Sequence, residues 1–213
     1  MSVARVLCGV FLLLSIVLPA PAVRADRLSL ERIFSGPALS GPSLRSARLS
    51  PDGRWVTYLL GKQDRPGQLD LWAYDIAGQT HRRLVDSSLL APQQRPLSAV
   101  EAQRRERSRS AAFSGIVRYR FSADSRRLLV PLGGDLYIYD LQADPQHAVH
   151  RITDTPEYET DARFSPKGRY VSFIRNQNLV VHDLDTGREW NIPRDGGGLV
   201  SFGMAEFIAQ EEI

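Results

Sequence analysis

The chain has 213 residues, 43% of them hydrophobic and 24% charged, which suits a globular protein that buries a core. Its net charge is only +3, and Arg5 and Arg24 at the N-terminus supply two of those positive charges. From Asp26 onward the balance is nearly neutral, which excludes a global field for nucleic acid or an anionic membrane.

Arg5 precedes an apolar run from Val6 to Leu18, and Pro19-Ala-Pro-Ala-Val-Arg-Ala25 follows it. A charged, then apolar, then small-residue order is that of a secretory signal peptide. As a helix the run rises about 20 Å, short of the roughly 30 Å hydrocarbon core of a bilayer. Cleavage is expected after Ala25, leaving residues 26–213 as the mature segment; the alternative is an uncleaved membrane anchor. Cys8 is the only cysteine and lies early in the run, which argues against a lipoprotein anchor. The mature segment then has no disulfide. Export without disulfides points to a bacterial periplasmic or extracellular protein held by its core alone.

Three segments further along resemble one another: Ala47-Arg-Leu-Ser-Pro-Asp-Gly-Arg-Trp-Val-Thr-Tyr58, Tyr119-Arg-Phe-Ser-Ala-Asp-Ser-Arg-Arg-Leu-Leu-Val130 and Ala162-Arg-Phe-Ser-Pro-Lys-Gly-Arg-Tyr-Val-Ser-Phe173. Each runs from an apolar residue through a Ser-Pro-Asp-Gly-like turn into an alternating apolar stretch. Proline presets φ for the turn, and Asp and Gly suit the positions after it, so each segment predicts a hairpin. Each hairpin is followed by a second predicted pair of strands. These are Leu69–Asp75 with His81–Val85, Asp135–Leu141 with His150–Thr153, and Asn178–Leu184 with Glu189–Ile192. Four strands per unit of about forty residues is one propeller blade. The expected fold is all-β: an incomplete β-propeller of about three four-stranded blades with two short helical insertions. The Gly-His and Trp-Asp marks of Trp-Asp repeats are missing, and the pattern is similar to TolB-type and prolyl-oligopeptidase-type propellers.

Ser122 and Ser165 are 43 residues apart, whereas Ser50 and Ser122 are 72 apart. A fourth turn falls due near position 208, where the chain reads Ala205-Glu-Phe-Ile-Ala-Gln-Glu-Glu-Ile213 instead. Insertions into repeats usually decorate one face, often the binding face. Three blades do not close a ring, so the expectation is a truncated N-terminal propeller domain of a longer product.

The first insertion spans about Ser87 to Ser114. Ser98-Ala-Val-Glu101 predicts a capping box, with the glutamate reaching back to the cap. The helix that follows carries Arg104, Arg105, Arg107 and Arg109 with little apolar support. It reads either as a solvated charged helix or as one that presents an arginine fork to a ligand carbonyl or carboxylate. The second insertion ends in Glu211-Glu212. Side by side on a wet surface these carboxylates are unremarkable; facing a cavity they form an anionic clamp for a primary ammonium. The serines of the repeat turns are structural. The histidines lack metal-ligand spacing, and Gly196–Gly198 follows no phosphate-binding pattern. Neither a metal nor a cofactor is expected.

The segment Gly203-Met-Ala-Glu-Phe-Ile-Ala-Gln-Glu-Glu212, behind Asp195-Gly-Gly-Gly198, resembles the glutamate motif of bacterial dipeptidyl peptidase IV proteins. Arg104-Arg-Glu-Arg-Ser-Arg109, followed by Gly115-Ile116, resembles the arginine helix of that family and of its dipeptidyl peptidase 8 and 9 relatives. The resemblance implies that Glu211 and Glu212 bind the substrate N-terminus. It also implies that Arg109, with Arg105 and Arg107 as fallbacks, approaches the second-residue carbonyl. Ser110 and Ala111 depart from the more apolar helix end of relatives. The family cleaves with a serine, aspartate and histidine on a C-terminal α/β-hydrolase domain. No Gly-x-Ser-x-Gly elbow occurs here, so no catalytic residue is expected in this chain, which alone should be inactive. The implied parent is a homodimeric secreted serine exopeptidase that releases X-Pro or X-Ala dipeptides from peptides with a free N-terminus. Its alternatives are a periplasmic TolB-like binding module without catalysis and a dipeptidyl peptidase of different side-chain preference.

Overall fold

The computed structural model of the chain describes residues 28–36, 39–91, 95–192 and 195–204. The expected signal peptide at 1–25 and the Glu211-Glu212 pair lie outside the described residues. Two units are distinguished, Met1–Leu39 and Ser40–Ile213. The first contains a short helix, α1 (Leu30–Phe34), whose first turn is capped by Ser29 accepting from the Arg32 N–H.

The second unit holds three antiparallel four-stranded sheets, as the repeats predict. The first is β1 (Arg45–Leu49), β2 (Trp55–Gly61), β3 (Gln68–Asp75) and β4 (Thr80–Val85). Helices α2 (Ser87–Leu90) and α3 (Ala99–Arg107) follow, and then a two-residue strand, β5 (Ser114–Gly115), which adds in parallel to β3. The second sheet is β6 (Arg120–Phe121), β7 (Arg127–Leu132), β8 (Asp135–Asp140) and β9 (Val149–Arg151). The third is β10 (Thr160–Phe164), β11 (Tyr170–Arg175), β12 (Asn178–Asp183) and β13 (Glu189–Asn191). Strands are joined in sequence order within each sheet, so each is one blade of an incomplete propeller.

The turn serine closes each first hairpin. Ser50, Ser122 and Ser165 accept through Oγ from the N–H groups of Trp55, Arg127 and Tyr170 at 2.9, 2.9 and 3.0 Å. Gly53 and Gly168 hold the left-handed position of the turn, and Ser125 holds it in the second blade at φ 60. A non-glycine residue there is strained, and Ser125 is fixed by accepting from the Asp52 N–H of the neighbouring blade's turn.

The middle blade explains the near-continuous apolar runs Leu-Leu-Val-Pro-Leu and Leu-Tyr-Ile-Tyr. Leu128, Val130, Leu132, Tyr137 and Tyr139 pack with Leu59, Leu71 and Tyr119 in one core. The alternate residues Leu129, Leu136 and Ile138 pack with Ala162, Val171 and Phe173 in another. Successive side chains on a strand point to opposite faces, so strands covered on both faces must be apolar at every position. Each such burial stabilises by about 1.5–3 kcal/mol.

A polar device recurs near the start of the third strand of each blade. Asp70, Asp135 and Asn178 accept the backbone N–H groups of Ser87, Thr155 and Gly196 at 2.9, 3.3 and 2.8 Å. The chain is thereby held where it leaves the fourth strand. Lys62 lies 2.7 Å from Asp70, and Arg151 lies 2.7 Å from Asp135.

Candidate functional site

Helix α3 starts as its sequence predicts: Ser98 Oγ accepts from the Glu101 N–H at 3.2 Å. The second half of the expected capping box is replaced. The Glu101 carboxylate is buried and takes Arg105 Nε at 3.1 Å and Arg118 Nη2 at 2.9 Å. A carboxylate removed from water needs cationic partners more than it needs one neutral N–H, which is why the cap is not its target. The solvated-helix reading is corrected by the same geometry. Glu101, Arg104 and Arg105 keep only 6%, 23% and 14% of their side-chain exposure. The helix packs through paired charges rather than through apolar residues.

Both flanks of the insertion are tied to blades. Arg95 donates to the carbonyls of Gly133 and Thr155 at 2.6 and 2.7 Å and lies 3.2 Å from Asp135, all in or beside the second blade. At the other end Gly115, at φ 72, lies against the first blade so closely that a Cβ would stand 2.5 Å from the Leu69 carbonyl oxygen. Only glycine fits both the backbone and the space.

The predicted arginines separate by role. Arg105 spans from Glu101 to the Phe113 carbonyl at 3.2 Å, closing the segment behind the helix. Arg107 donates through Nε to Gln103 O at 3.4 Å. Arg109 lies just past the helix at φ 52, with its N–H on Glu106 O at 2.9 Å and its own carbonyl accepting from Arg45 at 3.5 Å. Its exposed side chain has no hydrogen bond or ion pair among the described residues. Ser110, where the motif departs from relatives, is buried and donates to the Arg105 carbonyl at 3.3 Å. It thus folds the chain back onto the end of α3 just after Arg109.

Arg104, which the resemblance did not single out, faces a cleft of about 270 Å³ with Arg48, Arg118, Arg120 and Asp161. Its Nη2 is 3.9 Å from Asp161, and its buried Nη1 has no hydrogen-bond acceptor among the described residues. Burial, and next the Arg118 charge, lower the pKa of Arg104; burial, and next the Arg163 charge, lower that of Arg120. A sequence signal for this cleft existed. Arg48, Arg120 and Arg163 each stand two residues before a turn serine, so they occupy one position of the repeat.

Residues 122–213 match the family model described as the dipeptidyl peptidase IV (DPP IV) N-terminal region. Among solved structures the chain is similar to dipeptidyl peptidase 4 of Porphyromonas gingivalis, at 20% identity and a TM-score of 0.45, covering 72% of this chain and 20% of that one. It is also similar to TolB of Acinetobacter baumannii, at 18% identity and a TM-score of 0.46, covering 73% of this chain and 33% of that one. The chain spans between a fifth and a third of the length of these two structures.

Proposed function

From the match of residues 122–213 to the dipeptidyl peptidase IV N-terminal region, we propose that the chain is the substrate-recognition part of an exported serine exopeptidase that releases X-Pro or X-Ala dipeptides. Glu211 and Glu212 bind the free α-ammonium of the peptide, and Arg109 takes the backbone carbonyl beside the bond to be cut. Together they fix the distance from the chain's beginning to the scissile bond, so their contribution is positioning. The chemistry in the whole enzyme belongs to a serine, aspartate and histidine on an α/β-hydrolase domain. Residues 1–25 direct export and leave after Ala25.

The observation that carries this reading is the division of labour on α3. Arg105 is consumed in a buried clamp between Glu101 and Phe113, which holds the helix against its surroundings. Arg109, four residues on, is exposed and has its fork available among the described residues. The Arg105 clamp fixes the backbone from which Arg109 projects, and the planar fork of its guanidinium suits a carbonyl oxygen.

Titration of the chain with an Ala-Pro-headed peptide tests the proposal. Acetylating the peptide N-terminus, or replacing Glu211→Gln together with Glu212→Gln, should weaken binding at least about tenfold, near 1.4 kcal/mol. Equal binding of free and acetylated peptides overturns it. N-terminal sequencing of the exported product should begin at Asp26.

A further inference from the structure

The first strands of the three blades, β1, β6 and β10, bring their equivalent arginines together. Arg48, Arg120 and Arg163 are each exposed, and Arg48 and Arg120 line the 270 Å³ cleft with Arg104, Arg118 and Asp161. Among the described residues the charge in this group is unbalanced. The Glu101 carboxylate is already shared by Arg105 and Arg118. Asp161 is therefore the carboxylate left to face Arg104, Arg120 and Arg163, at 3.9 Å from Arg104 and 3.1 Å from Arg163. It sits at φ 51 on an irregular stretch of β10, between Thr160 and Arg163.

A crowd of guanidiniums around one carboxylate is stabilised by any further anion that enters it. Arg104 adds a specific vacancy in bonding: a buried donor that finds no acceptor among the described residues costs free energy until one is supplied. Guanidinium forks match the two oxygens of a carboxylate, and the cleft is larger than a single carboxylate needs.

We propose that this cleft is an anion subsite that takes the carboxylate of an acidic residue in a bound peptide. The assignment to a peptide rests on the function proposed above. Arg104 stands in the last turns of α3 and Arg109 just past its end, so the cleft and the proposed carbonyl contact belong to one short segment. Acidic residues that follow the second position of the peptide are favoured.

Four C-terminally amidated probes test this: Ala-Pro-Gly-Asp-Asp and Ala-Pro-Gly-Asn-Asn, each with a free and with an acetylated N-terminus. Binding to the full chain is read by calorimetry at low and high sodium chloride. The Asp peptide should bind about tenfold tighter than the Asn peptide whether or not it is acetylated, and the preference should fade with salt. Arg104→Met should remove the preference. Asp161→Asn should strengthen Asp-peptide binding several-fold, because it deletes the competing carboxylate and Asn tolerates the left-handed backbone. Equal affinity for the two sequences, or weaker Asp-peptide binding in Asp161→Asn, overturns the subsite. So does displacement of the peptide by inorganic phosphate at the peptide's own concentration, which marks a phosphate site. An Asp preference that survives while acetylation changes nothing upholds the subsite and sinks the ammonium clamp.

Discussion

The backbone N–H of Asp52 donates to Ser125 Oγ at 2.9 Å, so the turn of the first blade is stitched to the turn of the second. Ser125 is also the residue that takes the strained left-handed position which glycine fills in the other two turns. Two effects therefore oppose each other at this site. Ser125→Ala loses the bond and keeps the strain, and should cost about 1–2 kcal/mol in urea unfolding. Ser125→Gly loses the bond but relieves the strain, and should cost less than the alanine variant.

Glu101 joins Arg105 within its own helix to Arg118 on the approach to the second blade. Removing one partner of a buried charge cluster leaves the others without compensation. Glu101→Ala should destabilise by about 3–5 kcal/mol and expose residues 88–113 to limited proteolysis.

Gly115→Ala should disrupt the return of the insertion to the first blade. The added methyl meets the Leu69 carbonyl oxygen at 2.5 Å and Ser87 Oγ at 2.7 Å, on a backbone at φ 72. A loss of about 1–3 kcal/mol is expected from the backbone conformation alone. It is measured as a fall in the thermal midpoint.

Acid should reveal Asp183. The Arg169 guanidinium, donating at 2.7 Å, holds its carboxyl down to about 2 from an ordinary 3.8. A depressed native value means the contribution is complete above about pH 4 and disappears as pH falls through about 2. Asp183→Asn should be less stable than the parent at pH 6, and the gap should close by pH 2. A gap that stays constant from pH 6 to 2 contradicts this account.

The blades were legible because their signals are local. A serine, a turn former and an alternating strand recur within a dozen residues, and the structure places all twelve blade strands within a few residues of their predicted segments. Helix α3 was legible for its start, where Ser98 acts on a neighbour three residues away. The destination of Glu101 was not, because Arg118 is 17 residues distant and reaches it only after β5 has docked. The cleft was hidden for a different reason. Arg48, Arg120 and Arg163 are far apart in sequence, and their shared repeat position becomes meaningful only when three first strands converge on Asp161.

Among the described residues Asp70, Asp135 and Asn178 each accept from one backbone N–H, that of Ser87, Thr155 or Gly196. Each blade therefore registers where a departing loop starts and is indifferent to how long it is. This turns the three positions into ports, at which a segment can be lengthened, shortened or exchanged without shifting strand register. At the first two ports the acceptor is an aspartate with a cation beside it; at the third an uncharged amide does the same work. New recognition loops are best grafted just beyond these residues, because the scaffold there already tolerates two very different lengths.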